Sequence, residues 1–411
     1  MTSVADPVMS RVSAREAASA APAAGTRDIR LDFFRGLAMF IILAAHTPRN
    51  FVTSWIPARW GFSDATEIFV FCSGMASAIA FGRTFDRAGW RLGTARVGYR
   101  VWQVYWAHLG LFFAVATLMA AIDHFGGFDK VYIGSLNLWK FFADPGPQLV
   151  GLFTLTYVPN YFDILPMYMV ILVMMPLMVA LSRVNVWAVF AAMAVIWLFA
   201  QRSMLDALGL GGLHLGFPAE PWSDRKWFFN PFGWQLVFFT GFALMRGWIP
   251  KPPVNKTLIA LALAIVIANV PLSNIGMREF GFDWARDWRM AIGGLINKSD
   301  FGILRYAHFL ALAYLCWAAA GDGGARLRAA GRGGAARVWG GLLAMILKVG
   351  QQSLAVFVFS MFFARLSGFA MDQIGRNTWN MTLANVIGFA ALVLVAYAVS
   401  WFKAQPWRAA R

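Results

Sequence analysis

Four ionisable side chains, Arg30, Asp32, Arg35 and His46, stand in an otherwise largely apolar run: Arg30-Leu-Asp32-Phe-Phe-Arg35-Gly-Leu-Ala-Met-Phe-Ile-Ile-Leu-Ala-Ala-His46-Thr-Pro48. Arg35 and His46 are eleven residues apart (46 − 35 = 11). At roughly 100° per residue this is about 20° past three full turns, so both share one helix face, ~16 Å apart along the axis. Imidazole is the side chain best matched to proton transfer near neutral pH. Guanidinium suits phosphate and carboxylate. The run therefore offers an anion-binding cation at one end and a base at the other. Asp32 precedes Arg35 by one turn and is placed to pair with it. The competing readings are a snorkelling arginine paired to Asp32 and a hydrogen-bonded packing histidine.

Acids recur where a second apolar run begins: Asp64-Ala-Thr-Glu67-Ile-Phe-Val-Phe-Cys-Ser73-Gly74. Asp64 reads as a helix cap favoured by the dipole. Glu67 lies one turn deeper, at the expected depth of His46. A carboxylate there would orient the imidazole and raise its basicity. Ser73 and Gly74 read as a close helix contact rather than a nucleophile. Asp163 follows Asn160 and Tyr161 and reads equally as a cap or a site residue. Pro159 and Pro166 around it argue for irregular backbone lining a cavity. Arg305 and His308, one turn apart, read as an interfacial anchor with a packed histidine, or as a cationic pair facing substrate. His108, His124 and His214 form no pair at metal-ligand spacing, and no metal is expected.

The elements that must position these residues follow from composition. The chain has 411 residues, 59% hydrophobic and 14% charged. A soluble domain is about half apolar and about a quarter charged. A soluble enzyme, a disordered chain and a fibrous repeat are thereby excluded. The expected class is all-α, a polytopic membrane helix bundle. Apolar stretches of about 17–23 residues mark ten spans: 33–52, 64–82, 100–122, 162–181, 185–200, 230–247, 257–272, 302–320, 346–366 and 382–402. Residues 1–30 are expected to be a disordered cytoplasmic tail without a cleaved signal peptide. Residues 31–403 form the transmembrane domain and 404–411 a short cytoplasmic tail. Cys72 and Cys316 lie inside apolar spans and signal neither a disulfide framework nor zinc.

With both termini cytoplasmic, the inner side collects 22 Lys/Arg and 6 Asp/Glu and the outer side 14 and 14. The whole net charge of +16 (22 − 6 = 16) then lies on the inner face, as the positive-inside rule demands. This accounts for the basic balance without a nucleic-acid partner. Two inner loops are notably basic, 83–100 and the Gly/Arg-rich 321–348. Both suit anionic lipid, and the Gly/Arg-rich loop lacks the ending of a Walker phosphate loop. Outer loops 123–161 and 273–301 carry Trp139, Trp284 and Trp288, which suit a sugar-like partner or interfacial anchoring.

At these residues the sequence resembles OpgC-type membrane proteins, the osmoregulated periplasmic glucan succinyltransferases. That group is similar to the wider transmembrane acyltransferase (acyltransferase-3) superfamily. The wider family's Arg, ten residues, His motif matches Arg35 to His46. Its acidic residue before Phe-Phe-x-x-Ser-Gly matches Glu67 to Gly74, with Ile68 displacing the first Phe. A basic cluster opening the third helix matches Arg96 and Arg100, before Tyr105-Trp106. A late Gly-x-x-Ser element matches Gly350-Gln-Gln-Ser353. The OpgC-type likeness extends over most of the chain, including 160–166.

The resemblance implies acyl transfer across a bacterial inner membrane, from cytoplasmic acyl-CoA to a periplasmic glucan hydroxyl. Succinyl-CoA is the implied co-substrate, with no tightly bound cofactor. Arg35, Arg96 and Arg100 would bind the acyl-CoA phosphates. His46 would be general base or transient acyl carrier, with Glu67 or Asp163 steadying the imidazolium. Asn160 is the candidate oxyanion stabiliser, beside Tyr161. Arg305 and His308 would meet the second carboxylate of the donor. The residues alone leave two other classes open: a transporter or flippase for a polar glycan or lipid-linked sugar, and a non-catalytic partner in glucan assembly. Neither the oligomeric state nor protein partners can be read.

Overall fold

In lipid an isolated apolar segment can satisfy its own backbone only as a helix. The computed structural model describes residues 28–331 and 333–409. Among them the chain is helical, with one isolated β-bridge, Pro218 to Lys226. The expected tail 1–30 lies outside the described residues except for Asp28–Arg30, as does the end of 404–411. The principal helices are α1 (Arg30–His46), α2 (Ala65–Ser77), α3 (Arg83–Gly126), α4 (Ile164–Val184), α5 (Val186–Phe199) and α6 (Pro231–Arg246). There follow α7 (Lys256–Asn269), α8 (Ile303–Ala320), α9 (Gly334–Gln351), α10 (Ser353–Ile374) and α11 (Thr378–Ala404). Six helical runs are long and apolar enough to cross a membrane: Ala65–Gly126, Ile164–Val184, Lys256–Arg278, Ile303–Ala320, Ser353–Ile374 and Thr378–Arg408. α1, α5 and α6 are shorter, at 17, 14 and 16 residues.

Three boundaries differ from those expected. The first span stops at His46 rather than 52, because Pro48 drives Thr47 into extended backbone with ψ 113°. His46 is thus the last helical residue, facing the irregular segment beyond. The loop expected at 83–100 is helical. Ala65–Gly126 is one 62-residue run, which if straight would be about three times the hydrocarbon thickness. It doubles back at Gly89, whose φ of 80° suits glycine. The two arms face each other there: Phe85 covers Gly93, and Arg96 Nη1 donates to Thr84 Oγ1. The ninth span, expected at 346–366, straddles a break. α9 ends at Gln351, Gln352 leaves helical geometry, and α10 begins at Ser353.

α1 is central, packing against α2, α9, α10 and α11. Two glycine contacts set its place. A Cβ on Gly350 would overlap the Asp32 carbonyl oxygen, and one on Gly36 would overlap that of Ile346. A second close pair joins α2 to α6: a Cβ on Gly74 would overlap the Phe238 carbonyl oxygen, and one on Gly241 that of Phe71. This is the helix contact expected at Ser73-Gly74. Aromatic rings fill the core, including Phe69 stacked on Phe357 at 5.8 Å between centroids.

Ion pairs between distant segments gather at two ends of the bundle. Arg30 with Asp322, and Arg246 with Asp86, lie at one end. Arg49 and Lys130 with Asp372, Arg59 with Glu279, Lys298 with Asp64 and Arg305 with Glu67 lie at the other. Among the described residues, no pair joins residues that the charge pattern assigns to opposite sides.

A branched side chain at Gly74 must push α2 off α6. Gly74→Leu is expected to destabilise the bundle by about 1–3 kcal/mol, as overpacking does. Gly110, on α3, has open space around it, and Gly110→Ala should leave stability unchanged or raised. Thermal unfolding of the two variants in detergent tests the contrast, and equal midpoints would remove the contact from its structural role.

Candidate functional site

His46 closes α1 with its ring held by the helix itself. Nδ1 lies 2.9 Å from the Ile42 carbonyl oxygen. A carbonyl can only accept, so Nδ1 carries the hydrogen and Nε2 keeps its lone pair. The Tyr161 ring meets the His46 ring edge to face, with centroids 5.4 Å apart. Tyr161 is fixed by its hydroxyl, which donates to the Met361 carbonyl at 2.5 Å, and has a φ of 91°, costly outside glycine. Arg365 of α10 places its guanidinium carbon 3.9 Å from the centroid of the same Tyr161 ring. Arg365, Lys298 and Asp64 all lie within electrostatic reach of the imidazole.

The acids at the start of α2 are occupied differently from the expectation. Asp64 caps the helix, accepting from Thr66 N at 2.7 Å, and Glu67 reaches back to Asp64 N at 2.8 Å. This is a reciprocal capping box. The other Glu67 oxygen accepts from Arg305 Nη1 at 2.5 Å, with Glu67 wholly buried. Lys298 Nζ pairs with Asp64. Burial by itself would raise the Asp64 carboxyl, but the Lys298 and Arg305 charges outweigh it and hold it well below the usual range. Glu67 is thus engaged by a cation and a helix terminus. The group that orients His46 is the Ile42 carbonyl, because a neighbour in the same turn satisfies Nδ1 without a carboxylate.

Segment 160–166 contributes through Tyr161. Asp163 precedes α4 and is buried, accepting from Phe228 N at 3.0 Å rather than capping the helix. Burial pushes its carboxyl up to about 6, against the Phe228 hydrogen bond and the Arg225 charge. Asn160 is exposed and accepts from Arg225 Nη1 at 2.9 Å, while Arg225 also holds Glu220 at 3.0 Å. Asn160 and Asp163 therefore sit around Arg225, with Tyr161 reaching His46. His308 is buried, and its Nδ1 accepts from Ser63 N at 3.3 Å, with Ser63 Oγ at 2.8 Å. It packs against Gly61, which makes it a support for the loop before Asp64. Arg305 is the counter-ion of Glu67.

At the other end of α1, Arg35 Nη2 donates to Ser353 Oγ, the first residue of α10. Gln351 Nε2 donates to Asp32 at 3.3 Å, and Lys403 donates to Gln352 at 2.7 Å. Arg100 lies within electrostatic reach of Lys403 and donates to Gln103 at 3.1 Å. Arg96 is exposed one turn away, on Thr84. The break between α9 and α10 thus gathers Arg35 and, through Lys403, Arg100.

Sequence reading did not single out Lys298 or Arg365. A wholly buried Glu67 requires a cation, but its identity lies more than two hundred residues away. Arg365 carried a local signal, a lone arginine inside the apolar run 353–374. A cleft of about 310 Å³ adjoins the end of α1, lined by Ala45, Thr47, Asn50, Arg59 and Asn274 among others, with His46 itself outside its lining. Thr47, Asn50 and Asn274, which can both donate and accept hydrogen bonds, and Arg59, which donates, suit a hydroxyl-rich ligand.

Removing one partner of the Glu67–Arg305 pair leaves a buried charge uncompensated. Arg305→Met is expected to cost about 3–5 kcal/mol of stability. Adding Glu67→Gln should recover much of that loss. Unfolding of the single and double variants measures the coupling, and additive losses would show that the pair does not act as one.

The family comparison covers almost the whole chain. Residues 27–404 match the OpgC protein family. No curated protein and no solved structure matches the sequence. With the match running from just before α1 to the end of α11, the chain belongs to the OpgC protein family.

Proposed function

We propose that this chain is a multi-pass inner-membrane O-acyltransferase that moves a succinyl group from cytoplasmic succinyl-CoA to a hydroxyl of a periplasmic glucan. Membership of the OpgC family supports a glucan-modifying transferase. The observation that carries the chemistry is the His46 tautomer: with Nδ1–H held by Ile42, Nε2 presents a lone pair at the end of α1.

In this reading an acceptor hydroxyl approaches His46 Nε2 at the end of α1. Its oxygen attacks the thioester carbonyl carbon as Nε2 takes the hydroxyl proton. The tetrahedral intermediate collapses, breaking the carbon–sulfur bond. The departing thiolate regains the proton from the imidazolium, so the products are a glucan ester and free coenzyme A. The Ile42 carbonyl steadies the imidazolium through Nδ1–H, the role expected of Glu67. Arg35, Arg96 and Arg100 would bind the donor's phosphates at the opposite end, joined by Lys403. The ~16 Å from Arg35 to His46 accommodates an extended pantetheine arm. Glu67 and Asp64 serve by holding Arg305 and Lys298 over the start of α2. Tyr161 holds the imidazole in place from the side.

Purified protein supplied with labelled succinyl-CoA and a periplasmic glucan should form labelled glucan. His46→Ala should lower transfer by roughly 10²–10⁴-fold, the usual yield of a general base, while succinyl-CoA binding persists. Undiminished transfer in the variant would remove His46 from the chemistry. Glycan movement without an acylated product would make the protein a transporter.

A further inference from the structure

Several cations at the His46 end of the bundle are matched to acids, and Arg289, which is not, donates to the Leu272 carbonyl oxygen at 2.6 Å. Lys298 has Asp64, Arg305 has Glu67, Arg225 has Glu220 and Arg376 has Asp372. Arg365 forms no ion pair with any described acid. Its Nε is buried without a hydrogen-bond partner, and its guanidinium lies on the Tyr161 ring. That ring is the one against His46. A permanent charge in an apolar helix, held beside the base and left uncompensated, is costly unless something else supplies the anion.

We propose that Arg365 determines donor specificity by binding the carboxylate at the far end of a dicarboxylic acyl chain. This rests on the acyltransferase reading of the site. The Arg365 guanidinium lies over the Tyr161 ring and hydrogen-bonds that side chain, and the rest of its five N–H donors can meet a carboxylate with two parallel hydrogen bonds. An extended succinyl chain carries its free carboxylate ~4 Å beyond the thioester carbon. An acyl group whose carbonyl meets His46 Nε2 therefore ends in the neighbourhood shared by Tyr161 and Arg365. Arg305, the other candidate for this carboxylate, already holds Glu67 and needs no substrate anion. A role at the reacting carbonyl oxygen would answer the charge only in passing, during the transition state. A substrate carboxylate compensates Arg365 for as long as the donor is bound.

The test uses the full chain, wild type beside Arg365→Met and Arg365→Lys, with labelled succinyl-CoA and acetyl-CoA as donors and a periplasmic glucan as acceptor. The quantity read is the ratio of kcat/KM for the two donors, which does not depend on how much of each sample is folded. Arg365→Met should lower the succinyl-to-acetyl ratio ~100-fold, the order expected on truncating one partner of a buried charge pair. Arg365→Lys should retain part of the preference. An unchanged ratio overturns the inference, whether both rates hold or fall together; a joint fall would place Arg365 at the reacting carbonyl. Wild-type transfer from acetyl-CoA alone overturns it too, yet leaves an acyltransferase. Wild-type transfer from neither donor removes the acyltransferase reading, and this inference with it.

Discussion

The close approach of α1 to α9 and α10 is the contact on which the site depends. Gly36 and Gly350 let the backbones come nearer than any side chain would permit. Arg35 can then reach Ser353 at the first turn of α10. From there the two helices run for similar lengths. Eleven residues carry α1 from Arg35 to His46, and twelve carry α10 from Ser353 to Arg365 (365 − 353 = 12). Equal rise per residue brings the polar groups at the far ends level. Tyr161 then bridges them, touching His46 and Arg365 through one ring. Separating the helices at the glycines would lose the register at both ends.

Charge pairing organises the rest of the His46 end. Buried carboxylates are tolerated only with a cation and further hydrogen bonds. Glu67 has both, from Arg305 and from the Asp64 amide, and Asp64 has Lys298 and the Thr66 amide. These pairs tie residues 298–305 across the start of α2. Their function is placement. They leave the imidazole to be oriented by its own helix through Ile42, a short-range arrangement that needs no other part of the chain.

The fold class and most of the helices were legible because apolar length is a local property. Boundaries were less so. Pro48 carries the signal that ends α1 at His46, but an apolar run of 33–52 obscures it. The turn at Gly89 was hidden because helical sequence continues on both sides, and only a φ of 80° distinguishes a hairpin from one long rod. The break at Gln352 was hidden because residues 346–366 read as a single apolar stretch.

The sequence by itself determined the all-helical, membrane-length architecture, the split of charge between two ends, and the shared face of Arg35 and His46. Each follows from composition or from helical periodicity, which need no distant contact. Only the tertiary structure decided the partners. Glu67 could have oriented His46 or balanced a cation. It does the latter because packing delivers Arg305, 238 residues later, to hydrogen-bond distance. Tyr161 likewise meets His46 from 115 residues away (161 − 46), and Arg365 meets Tyr161 from 204 (365 − 161). Residue spacing along one helix cannot encode such meetings, since they depend on how closely several helices pack.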